Sequence, residues 1–479
     1  MGKLWNFDQF GDSPALIGDT GVTLTYRDLA ALSETVEAAV GQADSGALVM
    51  FVCRNTLGAL SGYAALINRG HPVLPVSAEL PADMRRDLMN VYRPALLLLP
   101  REYRDTCPTM REVCDIRDYV LLRTNYAERY PLHPQLGLLI TTSGSTGSPK
   151  LVRQSWDNLA FNAGTIAGYL EIAPSDKTIT CLPLQYTYGL SILHANLLRG
   201  ASMVVTQSGF MDGEFWDLFE AEEVTSFHGV PNTYDMLHRI EMFEDDFPSL
   251  RTLTQAGGKL SRELQAYYAR YAHDNGKRFV IMYGQSEATA AIAWLPPEDA
   301  LRKPESAGIV VPGGSVSIVD EAGKPVALPH VRGELRYQGP NVAMGYAQCG
   351  EDLNKGDEWH GILYTGDIAE FDEEGYISIT GRLKRYIKMA GHRVSLDEID
   401  GMIMDELNIL SASVGTDDHL TVFVTDDSYR DIVAGFIREK ISAARAGFQV
   451  ASLPEFPKNE GGKVLYSELQ KTAQGLWRQ

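Results

Sequence analysis

Between residues 138 and 150 an apolar run, Leu138-Leu139-Ile140, breaks into hydroxyls and glycines and ends on a lysine. Every residue from 142 to 148 is Ser, Thr or Gly: Thr142, Ser143, Gly144, Ser145, Thr146, Gly147 and Ser148. A loop of that composition can wrap the phosphates of a nucleotide. Glycines let the backbone approach closely, and successive N–H groups form a concave anion nest. Hydroxyls add donors that turn with the phosphates, and the Lys150 ammonium adds charge. This is not a P-loop, whose last glycine runs directly into Lys and then Ser or Thr. Here Ser148 and Pro149 stand between Gly147 and Lys150.

The elements that must carry such a loop alternate along the chain. Residues 23–40 read as a strand, a cap and a helix, with Leu29, Val36 and Val40 at helical spacing. A buried strand at 48–52, a small apolar helix at 60–68, and short strands at 73–76 and 94–99 follow. Beyond the glycine-rich loop, strands at 179–182 and 201–206 flank a helix at 190–198. Residues 224–230 end in a turn before a helix at 231–239, and 252–258 and 278–284 read as strands running out into loops. Continuous apolar strands alternating with helices predict an α/β domain of layered, mostly parallel sheets. Open sheets of this kind bind ligands beyond the carboxyl ends of their strands, so the loops closing 224–230, 252–258 and 278–284 are expected on one edge. From about 305 glycines, prolines and short alternating strands predict a β-rich lobe. The charged stretch 381–388 reads as a hinge. The expected division is a large N-terminal domain at 1–381, its β-rich lobe at about 305–381, a hinge at 382–386, and a small, mobile α+β domain at 387–479.

Charge and composition narrow the function classes. Lys and Arg number 43 against 62 Asp and Glu, a net charge of -19. Such an acidic chain is a poor non-specific binder of nucleic acid or anionic membrane. Five cysteines, an odd number without CxxC spacing, predict free thiols in a reducing compartment and hence a cytoplasmic protein, not a zinc site or disulfide framework. The N-terminus lacks a secretory apolar core, and no apolar run reaches 18 residues, so membrane insertion is not expected.

Five ordered motifs together resemble the adenylate-forming superfamily of acyl-CoA synthetases, peptide-synthetase adenylation domains and luciferases. They are 141–150, Tyr283-Gly284-Gln285-Ser286-Glu287-Ala288-Thr289, Tyr364-Thr365-Gly366-Asp367, 381–388 with Gly391-His392-Arg393, and Pro457-Lys458-Asn459-Glu460-Gly461-Gly462-Lys463. In motif style the chain is most similar to stand-alone acyl-CoA or acyl-carrier-protein ligases. The resemblance implies activation of a carboxylate by ATP with release of pyrophosphate, then acyl transfer to a phosphopantetheine thiol. CoA is the first expectation for the acceptor, a separate carrier protein the next, an amine the third. A non-catalytic ATP-binding scaffold is the alternative outside the enzymes.

Residue roles follow from the same resemblance. Thr142, Ser143, Gly144, Ser145, Thr146, Gly147 and Lys150 would hold the β- and γ-phosphates. Tyr283 would stack on adenine, beside Gly257, Gly258, Gly284 and Gln285. Ser286 would contact the α-phosphate, and Glu287, with Thr142, would ligate Mg²⁺. Asp367 would accept the ribose hydroxyls and Arg382 would touch the ribose; Lys388 would also serve the nucleotide or the thiol step. Lys384 would be the pivot of a domain rotation, and Lys463 would reach the developing anhydride. Catalysis would thus rest on Lys463, Glu287, Ser286, Thr142 and Lys150.

The acyl pocket would draw on Tyr186, Tyr188, His228, Gly229, Val230, Ala256 and Gly257. Peptide-synthetase domains for α-amino acids carry an Asp near 183–190 to pair the ammonium. This chain reads Pro183-Leu184-Gln185-Tyr186-Thr187-Tyr188-Gly189-Leu190, with no acid. An unpaired buried ammonium costs several kcal/mol, which disfavours an α-amino acid substrate. Tyr186, Tyr188, His194, His228 and Tyr234 are candidates to line a pocket for an aryl or short polar acyl group of a small carboxylic acid, and counting side chains leaves a long fatty chain open as well. His228 would contact the carboxylate or support the pocket wall. The protein is expected to work as a monomer or homodimer.

Overall fold

A computed structural model of the chain describes residues 4–141, 150–244, 247–320, 322–326, 328–389, 392–440, 447–458 and 463–477. Contacts group the chain into two units: Met1–Ser315 with Gln338–Leu363, and Val316–Tyr337 with Tyr364–Gln479. The stretch expected as a β-rich lobe, about 305–381, is divided between the two units.

Two large sheets build the first unit. A nine-stranded sheet runs in the order Ile309–Val310, Ala290–Leu295, Arg278–Gln285, Thr252–Gln255, Ser226–Gly229, Lys177–Ile179, Ser202–Val205, Pro14–Gly18, Thr23–Thr25. Its six central strands, from Arg278–Gln285 to Pro14–Gly18, are parallel, and antiparallel strands close both edges. The strands ending at Gly229, Gln255 and Gln285 are successive parallel neighbours, so their carboxyl ends share one edge as expected. An eight-stranded mixed sheet contains the apolar runs Val49–Cys53, Val73–Ser77 and Leu96–Pro100 as parallel neighbours. The strands on either side of the glycine-rich loop, Leu136–Thr141 and Leu151–Ser155, pair antiparallel in this second sheet. Residues 142–149 lie outside the described residues.

Local signals set the element ends. Thr25 caps the helix Tyr26–Val40 in a reciprocal pairing with Asp28. Pro231 opens the helix Pro231–Arg239 at a position where its missing N–H costs nothing. Thr56 caps the apolar helix Leu57–Asn68, which thus begins three residues before the expected 60. The strand expected at 179–182 is instead Lys177–Ile179. Along the inner strands of the eight-stranded sheet Met50, Val52, Leu74, Leu97, Leu99, Val120 and Leu139 share one core cluster.

The second unit carries a five-stranded sheet in the order Pro325–Val326, Ser315–Val319, Gly333–Gln338, Ile362–Phe371, Ile377–Arg382. A hairpin, Tyr386–Met389 with His392–Ser395, follows it. The chain continues into a three-stranded sheet, Ser411–Thr416, His419–Val424 and Phe448–Ser452, with helices Leu396–Leu407, Arg430–Lys440 and Tyr466–Trp477. Ile387, Ile399, Ile403, Val422 and Ile437 form its core with neighbouring apolar groups. No helix among the described residues is long and apolar enough to cross a membrane.

Candidate functional site

In the first unit the strand Arg278–Gln285 ends in a tight turn, Ser286–Ala288, that sets a hydroxyl and a carboxylate side by side. Ser286 is held twice: its Oγ lies 2.7 Å from Thr187 Oγ1, and its carbonyl accepts from Gln154 Nε2 at 2.9 Å. Glu287 Oε1 accepts the Tyr346 phenol at 2.8 Å. The backbone after the turn is strained, with φ of +53° at Thr289 and +117° at Ala290. Asn341 holds it in place, donating to the Ala288 and Ala291 carbonyls at 2.7 Å each and accepting from Thr289 Oγ1 at 2.8 Å. Gly284 is required here, since a Cβ would overlap the Ala290 carbonyl oxygen. Tyr283 is half-buried beside it, and Lys150 places its ammonium 3.8 Å from the Tyr346 ring centre.

The expected acyl-pocket residues come together along the same sheet edge. Gly257 has φ +86°, and the Tyr186 hydroxyl sits 2.6 Å from where its Cβ would stand. Val230 Cγ1 lies 3.2 Å from the same point, and Pro231 packs over Gly258. Gly229 leaves room for the Tyr234 ring. His228 has both ring nitrogens engaged, Nδ1 with Thr254 Oγ1 at 2.6 Å and Nε2 with Thr178 Oγ1 at 2.8 Å. Tyr188 completes this buried net through Thr254 Oγ1 at 2.5 Å.

Burial holds His228 and His194 down at about 3, far below the ordinary 6.5. A depressed imidazole contributes stability above pH 6.5 that is lost as pH falls toward the folded value. Each should cost about 2 kcal/mol by pH 5. The thermal midpoint is therefore expected to fall between pH 7.5 and 5, and to fall less steeply in His228→Gln. An unchanged slope in that variant would show that His228 is not one of the titrating groups.

In the second unit Asp367 is 3% exposed and faces Arg382 across an antiparallel pair. Arg382 Nε donates to its Oδ1 at 2.9 Å. Gly366, with φ +70°, turns the chain just before it, and its N–H donates to Glu334 Oε1 at 3.0 Å. Lys384 is exposed in the short turn Leu383–Arg385. Lys388 is exposed on its strand, whose N–H donates to Asp417 Oδ1 at 2.8 Å. Lys463 is exposed near the isolated bridge Lys458↔Val464. Thr142, Ser143, Gly144, Ser145, Thr146, Gly147, Gly391, Asn459, Glu460, Gly461 and Gly462 lie outside the described residues.

Among the described residues no cluster of three or more His, Cys, Asp and Glu is placed to hold a metal ion. Mg²⁺ does not need one, because it keeps several waters and takes one or two carboxylates plus substrate phosphates. Glu287, a hard oxygen donor fixed by one hydrogen bond, fits that pattern. Gln154 and Tyr346 escape sequence reading. Their partners lie 132 and 59 residues away, and no local pattern marks them.

Residues 4–347 match the AMP-binding enzyme family. The chain belongs to that family. A probable CoA ligase of Humulus lupulus is 28% identical over 69% of this chain and 64% of its own length. The indoleacetate–CoA ligase of Aromatoleum aromaticum is 27% identical over 94% of this chain and 93% of that one. The chain thus spans just under two thirds of the first relative and nearly all of the second. ATP-bound MatB of Rhodopseudomonas palustris superposes with a TM-score of 0.82 at 22% identity, covering 99% of this chain and 100% of that one. The o-succinylbenzoate CoA synthetase of Bacillus subtilis, in complex with its acyl-adenylate intermediate, gives 0.77 at 21% identity, with 98% of each chain covered. These likenesses show the two-domain adenylate-forming fold: a large domain of mixed sheets and a smaller α+β domain.

Proposed function

We propose that this AMP-binding enzyme is an acid–thiol ligase: it activates a small carboxylic acid with ATP as an acyl-adenylate, releases pyrophosphate, and passes the acyl group to CoA. The observation that carries this reading is the turn Ser286–Ala288, which presents a hydroxyl and a carboxylate together beyond a parallel strand in a chain of this family. Two anions must meet when a carboxylate attacks the α-phosphate, so fixed positive charge and donors lower the barrier more than binding alone. Lys150 and Lys463 supply charge, and Ser286 supplies a donor. Asp367 suits the ribose, because an ionised carboxylate only accepts and the ribose hydroxyls donate. Mg²⁺, when bound, spreads the phosphate charge, and Glu287 is the residue that would hold it. The glycine-rich loop at 142–148 would hold the β- and γ-phosphates.

Tyr186, Tyr188, His228 and Gly257 support an aryl or short polar acid. The relatives named above include a ligase of indoleacetate and one of o-succinylbenzoate, both acids with an aromatic ring. Carboxylate-dependent ATP–pyrophosphate exchange across aryl, short polar, fatty and amino acids tests the first half-reaction. Thioester formation with CoA, a carrier protein or an amine tests the second. Exchange with no acid of a broad panel, while ATP still binds, would favour the scaffold reading. The cytoplasm is the compartment proposed, in keeping with five unbridged cysteines.

The hinge is proposed at 382–386, with Lys384 as the pivot between the two half-reactions. Proline fixes φ and removes an N–H, so Lys384→Pro should stiffen the turn. Thioester formation is expected to fall about tenfold or more, with pyrophosphate exchange largely kept. Equal rates for variant and wild type in both half-reactions would rule out a pivot there.

A further inference from the structure

Tyr346 lies outside every motif that pointed to the nucleotide site, yet it touches two of the residues assigned to it. Its hydroxyl donates to Glu287 Oε1 at 2.8 Å, and its ring face carries the Lys150 ammonium at 3.8 Å from the centre. We propose that Tyr346 is a positioning residue for adenylation: its hydroxyl orients Glu287 for the metal, and its ring holds Lys150 ready for the phosphates. The inference rests on the roles proposed above for Glu287 and Lys150.

The side chain is held well enough to act as a template. Tyr346 sits on the strand Gly345–Ala347, paired antiparallel with Leu151–Ser155, where it faces Val152. Its carbonyl accepts from Arg153 Nε at 3.2 Å. Arg153 is fully buried and pairs with Glu358. The Trp359 ring meets the Tyr346 ring edge-on at 4.9 Å and 85°. These contacts fix both ends of the residue, so the direction of its O–H is set by the fold.

Chemistry assigns each half of the side chain a separate task. A hydroxyl on one carboxylate oxygen fixes the plane of the group and leaves the other oxygen for a cation. Outer partners of this kind govern metal affinity by about 10- to 100-fold. An ordinary phenol, with a pKa of about 10, is protonated at neutral pH and donates to the carboxylate it faces. The ring face attracts a cation through its quadrupole, a contact that phenylalanine retains and leucine does not.

The test separates the two tasks with two variants. Equilibrium binding of ATP is measured by calorimetry with and without Mg²⁺, and pyrophosphate exchange is titrated with Mg²⁺. Tyr346→Phe should bind metal-free ATP as wild type does but need about tenfold more Mg²⁺. Tyr346→Leu should show the same metal defect and also bind metal-free ATP several-fold more weakly. Glu287→Gln is the control. If it loses the metal dependence while Tyr346→Phe keeps it, Tyr346 does not position Glu287. If Phe and Leu bind metal-free ATP alike, the ring does not hold Lys150. A Glu287→Gln variant with wild-type Mg²⁺ dependence would remove the metal role of Glu287 itself, and the first half of the inference would fall with it.

Discussion

Replacing Lys463 with alanine is expected to slow ATP–pyrophosphate exchange by about 10²- to 10³-fold, while transfer from a supplied acyl-adenylate to CoA stays near the wild-type rate. The asymmetry follows from where charge develops. In the first half-reaction a carboxylate approaches a polyanion, and a single well-placed ammonium is worth most in that transition state. In the second the phosphate is already the leaving group and the attacking thiol brings less charge. Lys463 is exposed and outside the apolar clusters of its unit, so truncation should change stability by no more than about 0.5 kcal/mol. The measurement is the two half-reactions in parallel on one preparation, with the thermal midpoint as control. Comparable losses in both would remove the separate role of this lysine.

The sheets were legible because continuous apolar runs admit few other readings. Val49–Cys53 and Leu96–Pro100 are buried at every position. Pro231 marked a helix start to the residue, whereas Thr56 did not, because threonine also occurs in strands and turns. The charged stretch 381–388 reads as a linker by composition. Pairing decides otherwise for its end: Tyr386–Met389 forms a hairpin strand, with Ile387 and Met389 turned into the core. Within the site, residue types announced their chemistry but not their partners. Asp367 and Arg382 are both visible in the sequence. That they face each other depends on strand register, which a bulge between Ile368 and Ala369 shifts. Tyr346 meets Glu287 only after the fold forms, and nothing in its local sequence foretells that.

Loss of Arg385 should destabilise the second unit through a buried charge. Its Nε pairs with Asp397 Oδ1 at 2.5 Å and its Nη2 with Asp400 Oδ2 at 2.9 Å. Nη1 donates to the Ser413 carbonyl at 3.1 Å, and the guanidinium lies 3.6 Å above the Tyr466 ring. Asp400 also accepts from Ser411 and Ser413 hydroxyls at 3.1 and 2.6 Å. Its side chain is only 16% exposed, and burial holds its carboxyl above the ordinary carboxylate range even beside the guanidinium. Arg385→Met removes the cation and leaves that carboxylate without its counter-ion, a change that costs about 3 kcal/mol or more. The melting midpoint of the unit should then drop by roughly 6–12 °C. The sign of the pH dependence identifies the cause. A carboxyl raised in the folded state lends stability below its unfolded value of 3.8 that is lost as pH rises through the folded value. Without Arg385 the folded value rises further, so Arg385→Met should be closer to wild type at pH 4.5 than at pH 7.5. Adding Asp400→Asn should restore part of the loss at pH 7.5 and little at pH 4.5. A deficit of the same size at both pH values, untouched by the second substitution, would place the role of Arg385 in its packing on Tyr466 and not in the buried charge.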